Sequence, residues 1–193
     1  MTLSLAQALY ERHKVLTYPR TDSRALPEDY ISTVKDTLGE MKDSQYGIFA
    51  SKILESEWVK PSKRIFNNSK ISDHFAIIPT SLQPKKLNEA EQKLYDLVTK
   101  RFLAIFYPAA EFLVTTRVTR VENEPFRTEG KVMVNPGWQS VYGKEVRTNG
   151  TDKDSVLVAV KQNESVQAEE IEIVANQTRP PARFNEATLL SAM

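Results

Sequence analysis

Apolar residues recur mostly at helical spacing from residue 1 to about 108, then alternate or cluster as they do in strands from about 111 to 174. The change of period predicts a domain boundary. Leu5, Ala8 and Leu9 lay a stripe on a short first helix ending near Arg12. Val15, Leu16 and Thr17 follow as an extended run, and Pro19 biases Tyr18 away from helical angles, so Tyr18 falls at a strand end or in a loop. Pro27, Glu28 and Asp29 have the composition of a helix start, with Ile31, Val34 and Leu38 on one face and Gly39 as the stop. A further helix is predicted over Gln45 to Ser56. The strongest pattern follows Asn88, an N-cap with Glu91 at N3, and carries Leu94, Leu97, Val98, Phe102, Ile105 and Phe106 on one face before Pro108.

In the second region Phe112, Val114, Thr116 and Val118 alternate with Leu113, Thr115, Arg117 and Thr119, which predicts a long strand. Further strands are predicted over Phe126 to Val134, Ser155 to Val160 and Glu169 to Val174, punctuated by Asn135-Pro136-Gly137 and Asn149-Gly150. The pattern describes a small antiparallel sheet, giving an α+β chain of helices followed by strands. Arg179 to Arg183 is linker-like, and Asn185 caps a last helix.

Composition narrows the chemistry. With 193 residues and no cysteine, the chain is long enough for a core without a staple, and disulfide and thiolate chemistry are excluded. Two histidines, His13 and His74, are a poor basis for a structural zinc site. Balanced charge, 26 Lys plus Arg against 25 Asp plus Glu, confines any nucleic-acid contact to a local patch. Between Asp152 and Glu172 six acidic residues outnumber two lysines, which disfavours a phosphate backbone there. No apolar stretch approaches the roughly 20 residues of a membrane helix, and no secretory signal is legible, so a cytoplasmic setting is expected. Met1 opening into a helical pattern and Met193 closing an apolar run suggest a piece of a longer chain.

Candidate chemistry concentrates between Leu16 and Leu26, where Tyr18, Arg20, Thr21, Asp22, Ser23 and Arg24 crowd together. A phenol is a weak nucleophile near neutral pH and needs a cation beside it and a good electrophile before it. Arg20, two residues on, would share a face with Tyr18 in an extended segment, and a guanidinium can grip a phosphate through two parallel hydrogen bonds. The plainer reading makes Tyr18 a half-buried ring with its hydroxyl bonded, and Arg20 with Asp22 a local ion pair. His74 could move a proton or contact phosphate, or be a satisfied structural residue. Lys60, Lys63, Arg64 and Lys70 form a basic loop that could touch DNA or merely be solvated. Trp138 could stack a base, but packing is the expected role. No glycine-rich phosphate loop with a following lysine supports nucleotide hydrolysis.

Five separated motifs carry a family resemblance. Leu5-Ala6-Gln7-Ala8-Leu9-Tyr10-Glu11 with Leu16-Thr17-Tyr18-Pro19-Arg20-Thr21-Asp22-Ser23, then Leu26-Pro27-Glu28, Ser72 to Thr80 (SDHFAIIPT), Pro136-Gly137-Trp138 and Arg179 to Phe184 (RPPARF) resemble type IA DNA topoisomerases, especially the bacterial topoisomerase III branch. The resemblance implies that Tyr18 attacks one DNA strand and becomes linked to its 5′-phosphate, that Arg20 holds the scissile phosphate, and that His74 contacts phosphate or assists proton transfer. Arg20, Thr21, Ser23, Lys60, Lys63 and Arg64 are the expected DNA contacts. One departure is Phe75, where the topoisomerase III branch commonly has a second histidine.

The resemblance also implies a fold: residues 1–108 as the helical, nucleophile-bearing third domain of the type IA toroid, 109–178 as part of the β-rich arch, and 179–193 as a linker and truncated helix toward the fourth domain. Expected partners are single-stranded DNA and the Toprim and remaining toroid domains of the parent chain, in a monomer. Mg²⁺ would be bound by the Toprim domain, with no metal or cofactor site in residues 1–193. Two further readings remain open: a noncatalytic single-strand-binding or assembly module, and a structural portion whose tyrosine is inert.

Overall fold

The predicted N-cap at Asn88 is formed in full. In this computed structural model, which describes residues 2–143, 157, 160–167, 169, 170 and 172–193, the Asn88 side chain accepts from the Glu91 amide at 2.9 Å. The Glu91 carboxylate accepts from the Asn88 amide at 3.0 Å, which completes a capping box at the start of α4 (Glu89–Ala104). Glu91 is buried, and it also pairs with Arg12 and lies 3.3 Å from the His13 ring nitrogen, just past the end of α1 (Thr2–Glu11). One carboxylate therefore caps one helix and ties down the end of another.

The Asn88 amide holds the Glu91 carboxyl below its ordinary range; burial opposes the shift, and Arg12 and His13 add to it. A carboxyl depressed in the folded state stabilises the fold above its unfolded pKa and loses that contribution as pH falls through the folded one. Thermal melts are accordingly expected to weaken as pH drops below about 4.5, and Glu91→Gln should flatten that part of the profile while lowering Tm at pH 7 by several degrees. An unchanged profile in the variant would remove Glu91 from this role.

The inner face of α4 is the predicted one at Leu94, Val98, Phe102, Ile105 and Phe106, which lie in or against the core, and departs from it at Leu97. Glu91, Tyr95, Thr99, Phe102 and Leu103 are buried, whereas Leu97 is 60% exposed. Burying Glu91 sets the helix phase, and positions four apart follow it inward.

The other helices stand close to their predicted spans. α2 (Ile31–Glu40) begins later than Pro27 because Pro27 to Tyr30 form a turn, with the Tyr30 amide donating to the Pro27 carbonyl at 3.1 Å. Glu28 in that turn is drawn away by Lys63 at 2.6 Å and by the Asn68 side chain, which accepts from the Glu28 amide at 3.1 Å. Gly39 does not stop α2, which continues to Glu40. α3 (Gly47–Glu55) lies within its predicted range. Leu9, Leu16, Leu26, Leu38, Ile53 and Phe102 meet in one buried cluster that joins the helices to the loops between them.

β1 (Glu111–Val121) and β2 (Glu124–Asn135) form an antiparallel hairpin in which Val121 faces Glu124. Glu122 and Asn123 both take left-handed angles, φ 50 and 70, as a two-residue turn matching strand twist requires. Among the described residues the sheet has these two strands alone. Leu113, Val114, Val118 and Phe126 are more than half exposed, so the ribbon presents an uncovered apolar surface. The strand predicted over Ser155 to Val160 lies outside the described residues except at Leu157 and Val160. The strand predicted over Glu169 to Val174 is not formed at its described positions: Ile173 is 94% exposed and no neighbouring edge supplies ladder bonds to this glutamate-rich stretch.

At the hairpin base a short 3₁₀ segment, Gly137–Tyr142, packs on α4, with the Trp138 amide donating to the Pro108 carbonyl at 2.9 Å. The Trp138 ring lies edge-on to Tyr142 at 5.8 Å, in keeping with packing, though 39% of the residue stays exposed. All of this belongs to one compact unit, Met1–Leu157. The second, Val158–Met193, carries α5 (Glu186–Ala192), capped as predicted by Asn185, whose side chain accepts from the Thr188 amide at 2.9 Å. Among the described residues no helix is long and apolar enough to cross a membrane.

Candidate active site

Tyr18 is placed by a short ladder between two segments far apart in sequence. The Thr17 amide donates to the Ile78 carbonyl, and the Thr80 amide to the Val15 carbonyl, each at 3.0 Å. The Thr17 hydroxyl doubles the connection, donating to the Ala76 carbonyl at 3.1 Å and accepting from the Ile78 amide at 2.9 Å. Next along, the Ala76 amide donates to the Ala25 carbonyl at 2.9 Å. These bonds lay the stretch 74–80 beside 15–25 and bring His74 to Tyr18, with ring centroids 4.2 Å apart and planes inclined by 42°. Tyr10, on α1, meets Tyr18 edge-on at 5.4 Å.

Leu16 and Pro19 are buried, Tyr18 is half-buried and Arg20 is exposed. Among the described residues the Tyr18 hydroxyl makes no hydrogen bond, and Arg20 makes neither a hydrogen bond nor an ion pair. The plainer reading, a bonded phenol and an Arg20–Asp22 pair, is therefore not what the fold forms. Asp22 instead accepts a long hydrogen bond from the Ser72 hydroxyl at 3.5 Å.

Arg20, Thr21, Asp22, Ser72, Asp73 and His74 line an open cleft of about 420 Å³. Thr21 donates to the His74 carbonyl at 2.7 Å, and the Ser23 hydroxyl donates to the Lys70 carbonyl at 2.8 Å. Both hydroxyls hold the cleft together rather than point free into it. An exposed guanidinium on one wall and an imidazole on the other give the cleft groups that can receive an anion, with two carboxylates bounding where it can sit.

Of the residues singled out in the sequence, Arg20, Thr21 and His74 line the cleft, Ser23 braces it, and Tyr18 reaches it through its ring contact with His74. Lys60, Lys63 and Arg64 do not line it. Lys63 is engaged by Glu28, whose carboxyl it holds below the usual carboxylate range chiefly through their hydrogen bond. Phe75 packs on Tyr30 with ring centroids 4.9 Å apart. Thr17 and Tyr10 had no site role in the sequence, where both stand in the motif and Thr17 also in the extended run before Tyr18. The described residues contain no group of three His, Asp or Glu that could hold a metal ion.

A tyrosine ring tilted against a histidine, with an unpaired arginine in the cleft that the histidine lines, is an arrangement able to meet an anion. A family profile described as DNA topoisomerase matches residues 1–193, and the chain belongs to that family. Its similarity is to the topoisomerase III branch: it is 43% identical over 196 residues to DNA topoisomerase 3 of Bacillus subtilis (strain 168), covering 100% of this chain and 27% of that protein. DNA topoisomerase 3 of Bacillus cereus (strain ATCC 14579) is 43% identical over 197 residues, and that of Bacillus licheniformis 42% over 195, with the same coverage. The chain thus spans about a quarter of the length of these curated relatives.

Proposed function

We propose that this chain carries the nucleophile of a type IA topoisomerase, an enzyme that cleaves and rejoins single-stranded DNA to change its topology. The observation supporting this most strongly is Tyr18 itself: a phenol whose hydroxyl has no hydrogen bond among the described residues, its ring tilted against His74 of the Arg20 cleft, in a chain of the topoisomerase family. In the forward step the Tyr18 oxygen attacks phosphorus and the P–O3′ bond breaks. The tyrosine becomes esterified to the 5′-phosphate, and the phenolic proton ends on the departing 3′-hydroxyl. Attack by that hydroxyl reverses each change. One phosphate ester replaces another, so no ATP is consumed.

Arg20 neutralises charge on the phosphate oxygens in both directions, and its fork suits two parallel hydrogen bonds. His74, with its backbone held by Thr21 and its ring against Tyr18, contacts the phosphate or relays the proton. In the parent enzyme Mg²⁺ would be held by the Toprim domain, as the family resemblance implies, and no step above runs through it; the described residues hold no group of three His, Asp or Glu fit for a metal ion. In the same reading residues 1–108 form the helical third domain, 109–178 contribute to the arch, and 179–193 lead toward the fourth domain.

The test is reconstitution with a Toprim-containing fragment, Mg²⁺ and end-labelled single-stranded DNA, read on denaturing gels. Arg20→Ala should slow adduct formation by roughly 10²–10³-fold, with Arg20→Lys between it and the wild type because charge remains but the fork is lost. Adduct formation at the wild-type rate in Arg20→Ala would refute the role given to Arg20. One residue favours a second reading, a noncatalytic single-strand-binding or assembly module: Phe75, which offers no hydrogen bond where the family commonly has a histidine. Absence of adduct from a correctly assembled complex would decide for that module.

A further inference from the structure

A second cleft, of about 360 Å³, has Tyr18 in its own wall, together with Tyr10, Lys14, Leu16, Thr17, Phe75 and Thr80. Its size falls within the range of small-ligand sites, about 300–1,000 Å³. Three of its walls are aromatic faces or edges, and its cation is unengaged by acid. Lys14 makes no ion pair among the described residues; its ammonium lies 5.6 Å from the centre of the Tyr10 ring.

The backbone marks the same residue. Lys14 has φ 61, a left-handed conformation that glycine adopts without strain and a lysine does not. It follows α1 where a glycine commonly ends a helix, and the surrounding bonds hold it there: the Val15 amide donates to the Leu9 carbonyl at 2.9 Å, and the Thr80 hydroxyl to the Lys14 carbonyl at 2.7 Å. Helix termination alone would be served better by glycine.

We infer that this cleft is a nucleotide subsite for single-stranded DNA, in which a base lies against Tyr10 and Lys14 contacts the phosphate next to the one held at Tyr18. The inference rests on the DNA reading of Tyr18 above. Tyr18 is a wall of this cleft while its partner His74 lines the Arg20 cleft, so a strand engaged at Tyr18 has this cleft beside it. Lys14 complements the charge of a phosphodiester, and ring faces accept any base, so the subsite grips the strand with little sequence preference. The pairing of ring and cation separates a nucleotide from a purely apolar occupant, which would leave the ammonium unused.

The test uses the 193-residue chain and a fluorescein-labelled oligothymidylate, followed by anisotropy across a salt series. Lys14→Gly should weaken binding several-fold and reduce the slope of log affinity against log salt by about 0.7, one phosphate contact on a single strand. It should not lower Tm, because glycine relaxes the backbone there. Tyr10→Leu should weaken binding about tenfold, Tyr10→Phe should restore it, and abasic sites in the oligonucleotide should erase the difference between them. Wild-type affinity and slope in Lys14→Gly and Tyr10→Leu, with Arg20→Ala still weakened, would overturn the subsite while leaving the Tyr18 reading intact. A wild-type chain with no affinity for the single strand would overturn the subsite, whereas the Tyr18 reading stands or falls with the adduct of the reconstituted complex.

Discussion

Tyr18→Phe is expected to bring the DNA adduct of the reconstituted complex below detection while leaving the fold untouched. The substitution removes one oxygen, the only atom of that side chain able to bond to phosphorus. The structural cost should be within about 0.5 kcal/mol, because the hydroxyl has no hydrogen bond to lose among the described residues and the ring keeps its contacts with His74 and Tyr10. Denaturing gels for the adduct and a thermal melt for the fold separate the two effects. A large fall in Tm would mean that the hydroxyl is a structural group. Persistent adduct with an unchanged melt would move the nucleophile elsewhere.

The second large effect is expected at the junction between α4 and the hairpin. Gly137 has φ +49, and a Cβ there would overlap the Ala109 carbonyl and lie 2.5 Å from the Pro108 oxygen. Both obstacles are backbone, which has no rotamer by which to withdraw. Gly137→Ala therefore combines about 1–2 kcal/mol for a left-handed non-glycine with about 1–3 kcal/mol for overpacking. Tm should drop by about 10 °C. Gly143 is the internal control: its φ is +76, but an added methyl group would meet nothing within 4 Å, so Gly143→Ala carries the conformational cost alone. Equal melts for the two variants would show that crowding against residues 108 and 109 does not govern this junction.

Much of the helical half was legible because its signals are local. Asn88 and Glu91 are three residues apart, and a capping box needs nothing beyond that spacing and helical geometry. The hairpin strands were legible for the same reason, through alternation along each strand. Where expectation and structure part, a distant residue intervenes. Leu97 is turned outward because Glu91 is held inward by Arg12 and His13 from beyond another helix. α2 starts late because Lys63 and Asn68, far along the chain, occupy Glu28. The stretch 169–174 had strand composition, but a strand exists only with a partner edge.

The candidate site divides along the same line. Sequence alone determined which residue types stand together from Tyr18 to Arg24, that His74 sits among apolar neighbours, and through its motifs which family they resemble. Only tertiary structure decided that the two stretches meet, because the bonds joining them, from Thr17 to Ala76 and Ile78 and from Thr21 to His74, cross more than fifty residues and have no periodicity to read. It also decided that Arg20 is left unpaired with Asp22 two residues away, and that Lys14 takes a left-handed backbone beside an aromatic cleft. Side-chain chemistry is written residue by residue; which groups face one another, and which are left free to meet a ligand, depends on how the chain closes on itself.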